Sequence, residues 1–177
     1  MTIIYYRFAR IFLLLIFVSF VFGCQPVLEK GITEDEANTI TDKVLKIWNT
    51  ADFSTASDLY APGYVRHHPT PSANASFDDF KNTVTALHGS FPDCSFTFND
   101  TLVNDDKIIV FATFTGTNTG SLEGLPPTGK KAHVSGVYVF FIIDGRIAEE
   151  WTYFNLLSYY EQLGFALTPP SPSNQAE

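Results

Sequence analysis

From His133 to Phe154 the chain reads HVSGVYVFFIIDGRIAEEWTYF. β-Branched and aromatic side chains run from His133 to Ile143, Asp144-Gly145 interrupts them, and Arg146 to Phe154 resumes the run. Asp-Gly between two such runs is a hairpin signal, because a two-residue turn matching the twist of its strands needs positive φ at both central positions. The segment therefore predicts two antiparallel strands, His133–Ile143 and Arg146–Phe154. Working upstream, Asn118 to Gly129 is a Gly/Pro-rich loop and Lys107 to Thr117 a long β-rich strand. A turn at Asn104-Asp105-Asp106 precedes it, and Phe96 and Phe98 alternate with Ser95 and Thr97 before that.

Upstream of Phe91-Pro92-Asp93 the period becomes helical. Thr33-Glu34-Asp35-Glu36 is a capping box, in which a Thr hydroxyl and a Glu three residues later satisfy orphan backbone N–H groups. Ala37, Ile40, Val44, Ile47 and Trp48 follow at helical spacing, so Thr33 to about Asn49 is an amphipathic helix. A shorter helix is expected over Phe53–Tyr60, ending at Ala61-Pro62-Gly63, with Tyr64 to His68 extended. Ser76 and Asp79 open another helix, with Phe77, Phe80, Val84 and Leu87 along one face. A last helix covers about Leu156–Leu163 and stops at Gly164. Helices first and antiparallel strands afterwards make an α+β layout.

Composition narrows the function classes. Charged residues are 17% and hydrophobic residues 45%, which excludes a disordered chain. The net charge is −8, and no basic stripe is visible. Such a surface repels phosphate backbones, so nucleic acid is not an expected partner. Aromatics at 15% suit a β-rich domain or an aromatic-lined cavity.

The N-terminus reads as an address. Arg7 and Arg10 precede an apolar run from Ile11 to Phe22, followed by Gly23 and Cys24. A basic start, a short apolar stretch and a small residue before the cut describe a secretory signal. Val21-Phe22-Gly23-Cys24 resembles a bacterial lipobox. Residues 1–23 are thus read as a lipoprotein signal peptide, Cys24 as the lipidated residue and 24–32 as a tether. The domain follows at 33–167, and 168–177 form a disordered Pro/Ser-rich tail. Removing Arg7 and Arg10 with the signal takes the charge to −10. The expected location is an exported, membrane-anchored lipoprotein, on the periplasmic face of an outer membrane or on the cell surface. With lipid on Cys24, Cys94 has no intramolecular partner and reads as a core thiol.

Several motifs resemble the SnoaL-like ester (polyketide) cyclases. They are Trp48-Asn49, Leu59-Tyr60-Ala61-Pro62, Tyr64-Val65-Arg66-His67 and Phe91-Pro92-Asp93 in the first half. Phe114-Thr115-Gly116-Thr117, Leu125-Pro126-Pro127-Thr128-Gly129-Lys130, Glu149-Glu150-Trp151 and Gln162-Leu163-Gly164 follow in order. The resemblance implies a cone-shaped curved antiparallel sheet wrapped by N-terminal helices, the superfold of nuclear transport factor two, with an apolar pocket. It also implies chemistry without metal or organic cofactor: a carboxylate abstracts a C–H proton and hydrogen-bond donors stabilise the enolate. A small apolar carbonyl compound is the implied ligand, and a homodimer an implied assembly.

The family motif Glu-x-Trp-x-x-x-Asp reads here Glu149-Glu150-Trp151-Thr152-Tyr153-Phe154-Asn155. Asn155 stands where the aspartate would be, and an amide takes no proton near pH 7. Regular alternation puts Glu149, Trp151, Tyr153 and Asn155 on one face. The resemblance turns that face toward the pocket, which makes Glu149 the remaining candidate base, with His67 as a second. The plainer alternative for Glu149 is an ion pair with a neighbour such as Arg146. Trp151, Tyr153, Tyr138 and Trp48 are the candidate ligand contacts. Four scattered histidines lack ligand spacing, so no metal site is expected. Two function classes stay open: a cofactor-free cyclase or isomerase, and a lipid-anchored ligand-binding or protein-interaction module.

Overall fold

The computed structural model describes residues 31–67, 75–166 and 168. The signal segment, Cys24, most of the tether, His68 and the tail beyond Thr168 lie outside the described residues. Helix α1, Glu34–Thr50, starts on the expected capping box: the Glu36 amide donates to Thr33 Oγ1 at 3.3 Å, and the Thr33 amide donates to Glu36 Oε2 at 2.9 Å. Its buried face is Ala37, Ile40, Val44, Ile47 and Trp48, the apolar stripe read from the sequence. It stops where Ala51 turns left-handed, at φ 51°.

The next element is shorter than the sequence suggested. Helix α2 is a single turn, Ala56–Leu59, and strand β1 begins at once, Tyr60–His67. Ala61-Pro62-Gly63 lies inside this strand rather than ending a helix. Tyr60 and Val65 are both registered on the last strand while the residues between them are not, so an irregularity absorbs Pro62, which has no N–H to give a ladder. Helix α3, Phe77–Ser90, opens on a second capping box between Ser76 and Asp79. Strands β2, Ser95–Asn104, β3, Lys107–Thr117, β4, Lys131–Ile143, and β5, Arg146–Phe154, follow, and helix α4, Leu156–Gln162, ends the domain.

The five strands form one curved sheet in the order β1-β5-β4-β3-β2. β2 to β5 pair as an antiparallel meander, and β1 closes the edge in parallel with β5. The β4–β5 turn has Asp144 at φ 51° and Gly145 at φ 72°, the backbone that the Asp-Gly signal calls for. On the inner face lie Ile108, Val110, Ala112 and Phe114 of β3 and Ala132, Val134, Tyr138, Phe140 and Ile142 of β4. These join Ile47 and Trp48 of α1 and Phe80 and Val84 of α3 in one core. The opposite face carries Leu102, Phe111 and Tyr153, each more than two-fifths exposed. Among the described residues, no helix is long and apolar enough to cross a membrane.

One irregularity sets which side chains of β5 face inward. In the β4–β5 ladder Phe141 pairs with Glu149, but the next residue, Ile142, pairs with Ile147. Ala148 is therefore an extra residue, a β-bulge that advances the phase of the strand. Ile147 and Glu150, three apart, both end fully buried.

The loop after α3 is tied to the sheet by a carboxylate. Asp93 accepts the Thr117 amide at 2.6 Å and the Thr117 hydroxyl at 2.8 Å. These bonds, the backbone one foremost, hold the Asp93 carboxyl below its usual range. A folded-state pKa lowered in this way adds stability above the unfolded value of about 3.9 and loses it as pH falls through the folded value. Asp93→Asn is expected to flatten the acid limb of a denaturant-midpoint profile below about pH 4, relative to wild type. Parallel profiles would show that this contact does not couple to folding.

Candidate functional site

A cavity of about 180 Å³ lies between the inner sheet face and the helices. Its floor and walls come from Trp48 of α1, Arg66 of β1, Phe96 of β2, Phe114 of β3, Val134 and Tyr138 of β4 and Phe154 of β5. Thr83 and Leu87 of α3, and Leu156 and Tyr159 of α4, complete it. Thr83 is exposed and Leu87 and Leu156 half-buried, so they form the outer rim. A dry cavity of about 150 Å³ holds benzene, so this one suits a compound of one or two rings.

Gly136 sets one wall. It faces Phe154 across the β4–β5 ladder, and a Cβ on Gly136 would meet the Phe154 ring at 2.5 Å. The missing side chain is what lets that ring lie flat over β4 and edge-on to Tyr138, 5.6 Å away.

Beside the cavity sits a buried polar cluster. β1 and β5 place Arg66 directly opposite Glu150, and Arg66 Nε donates to Glu150 Oε1 at 3.0 Å. The Thr152 hydroxyl donates to the same oxygen at 2.8 Å, and the Tyr64 hydroxyl to Oε2 at 2.7 Å. Glu150 has no exposed side-chain surface and Arg66 only 8%. Burial opposes the charge on Arg66, but the adjacent Glu150 carboxylate outweighs it, so its pKa is raised and the cation kept. Burial first, then the Glu150 carboxylate, push the Tyr64 hydroxyl far above its usual range, so it stays a donor. The Arg66 guanidinium carbon also lies 5.4 Å from the Trp48 ring centre and 5.7 Å from that of Phe80.

The expected site residues divide between the two faces. Trp48 and Tyr138 line the cavity, and Phe140 is buried in the core beside them. Glu149, Trp151 and Tyr153 do share a face, but it is the outer one, so their expected orientation toward the pocket is corrected. The physical cause is the bulge at Ala148, which gives the inner face to Glu150, Thr152 and Phe154. His67 is outward as well, because its strand neighbour Arg66 takes the inner side. His67 Nε2 lies 2.8 Å from Glu149 Oε2, and its ring stacks on Trp151 at 4.1 Å. Glu149 thus pairs with His67, not Arg146, and its side chain is 49% exposed. Asn155 caps α4, its Oδ1 accepting the Ser158 amide at 3.0 Å. Cys94 is half-buried beside the His88 ring, and burial raises its thiol pKa. Arg66, Tyr64, Glu150 and Thr152 were missed. The signal was present in Tyr64-x-Arg66 and Glu150-x-Thr152, two alternating pairs that bring four polar groups to one side.

A family model described as SnoaL-like polyketide cyclase matches residues 38–163. The chain belongs to that family. This SnoaL-like domain resembles the structure of TsrD from Streptomyces laurentii, with 26% identity, a TM-score of 0.67, and 75% of this chain and 98% of that one covered. It is also similar to wild-type IdmH from Streptomyces antibioticus, at 24% identity and TM-score 0.65, covering 73% of this chain and 99% of the other. AclR from Streptomyces galilaeus aligns at 22% identity and TM-score 0.67, over 78% and 91% of the two chains. The likeness to IdmH and AclR bears on the fold alone. Among curated proteins, none matches the sequence.

Proposed function

We propose that this SnoaL-like domain takes a small apolar carbonyl compound into its cavity without a cofactor, and holds it rather than abstracting a proton from it. The observation that carries this reading is the state of Glu150. It is the one fully buried carboxylate among the described residues, and three donors occupy its two oxygens. Three of the roughly four acceptor sites of this carboxylate are thus taken within the protein, and Glu150 is not among the residues that line the cavity. Glu149, the other acid of the motif, faces away from the cavity. Lipid on Cys24 would keep such a pocket at a membrane surface, where apolar compounds partition.

Cyclase or isomerase chemistry is the second reading, and Asn155 motivates it. It stands between Phe154 and Leu156, two cavity-lining residues. An aspartate there would keep the α4 cap, since Asp caps as well as Asn. The test is exchange of the α-protons of acetophenone in D2O, with binding followed by calorimetry. Wild type is expected to bind the ketone and leave its exchange at the buffer rate. Asn155→Asp is expected to accelerate exchange at least about tenfold, the scale of positioned base catalysis being about 10²–10⁴. Exchange by wild type well above buffer would replace the holding reading with the catalytic one.

A further inference from the structure

We propose that the cavity selects its ligand by hydrogen-bond sense and charge: it takes a neutral compound that offers an acceptor oxygen to Arg66 and Trp48, and it excludes carboxylates of the same size. This rests on the reading of the cavity as a ligand pocket.

Three groups around the cavity carry unused polar capacity. Trp48 Nε1 and the Tyr138 hydroxyl are buried and have no hydrogen-bond partner among the described residues. Arg66 spends Nε on Glu150 and one Nη on a long contact to Thr152, 3.5 Å. Its five N–H groups therefore exceed its acceptors among the described residues. Indole and guanidinium N–H groups only donate, and the phenol can donate. A guest that satisfies them must accept, and a hydrocarbon of equal shape leaves them as they are. An unmet buried polar group keeps its desolvation penalty, so the acceptor is worth a difference the pocket can read.

Charge narrows the class further. Arg66 is already neutralised by Glu150, 3.0 Å away in a buried pair. A guest carboxylate would put a second anion on one cation, with no other Lys, Arg or His among the described residues that line the cavity. Burying an unbalanced charge is costly even after relaxation. A ketone or ester oxygen brings the acceptor without the charge. The same arrangement makes Glu150 a positioning residue: it sets the Arg66 plane and fixes the charge that a guest is allowed.

The test uses the purified full chain and four probes built on one benzene ring: acetophenone, 1-phenylethanol, ethylbenzene and benzoate. The chain has two tryptophans, so a ¹⁵N spectrum shows two indole N–H peaks, and Trp151→Phe assigns them. Acetophenone is expected to bind at least tenfold more tightly than ethylbenzene or benzoate, and to move the Trp48 indole peak. Trp48→Phe is expected to narrow the acetophenone-to-ethylbenzene ratio several-fold. Equal binding of ethylbenzene or of benzoate overturns the selection rule and leaves the pocket standing. No binding by any probe overturns both.

Discussion

Glu150→Ala is expected to remove about 3–5 kcal/mol of folding stability, more than any other single acidic substitution among the described residues. The loss has three parts. Arg66, with 8% of its side chain exposed, is left as a buried cation without its counter-ion. The Tyr64 and Thr152 hydroxyls lose the oxygens they donate to at 2.7 and 2.8 Å. Each orphaned group keeps its desolvation penalty without the bond that offset it. Glu149→Ala, one residue away, is expected to cost between about 0 and 1 kcal/mol, because its pair with His67 is half in solvent. Guanidinium midpoints on the two variants measure this contrast. A Glu149→Ala cost equal to that of Glu150→Ala would place the wrong glutamate inside. A double replacement, Arg66→Met with Glu150→Met, should recover most of the loss, since buried ion pairs are often exchanged for apolar residues at little cost.

The second large effect is expected at Phe80, where alanine should cost about 3–5 kcal/mol. Phe80 has no exposed surface and is the hinge of an aromatic cluster. Its ring centre lies 5.4 Å from those of Trp48 and Tyr60 and 5.9 Å from that of Phe77. Truncation would open a void between α1, β1 and α3 and take away one of the two rings under Arg66. Neighbouring rings on three separate elements cannot collapse together to refill it, which puts the cost at the upper end of the range. Phe111→Ala, on the outer sheet face and 43% exposed, is the matched control and should stay within about 1 kcal/mol. If thermal or denaturant unfolding gave the two variants similar losses, α3 would not be docked on this cluster.

The elements of the fold were legible because each is marked by local chemistry. Two capping boxes, an Asp-Gly turn and a change of apolar period are each written in a few adjacent residues. The parallel union of β1 with β5 was not legible, since their paired residues lie more than 80 positions apart and neither strand carries a mark of its partner. The site was half legible for a different reason. Trp48 and Tyr138 sit on a helix face and a strand face whose phase is unbroken. In β5 the doublet Glu149-Glu150 guarantees one acid on each side, but regular alternation from Ile147 picks the wrong one. The extra residue at Ala148 has no sequence signature of the kind Gly or Pro would give. In β1, Tyr64 and Arg66 share a side as alternation requires, yet the histidine beside them drew the attention.

Gly136 carries a consequence for how such a pocket changes over generations. The volume available to a guest is governed at a position that touches no guest and has no functional group to lose. A Cβ there would lie 2.5 Å from the Phe154 ring and 2.7 Å from the Tyr153 carbonyl oxygen of β5, so a replacement must move the ring and press on the neighbouring strand as well. The chamber and the β4–β5 ladder that carries Glu150 therefore change together at this position. Room and polarity in this domain are inherited through one and the same strand pairing.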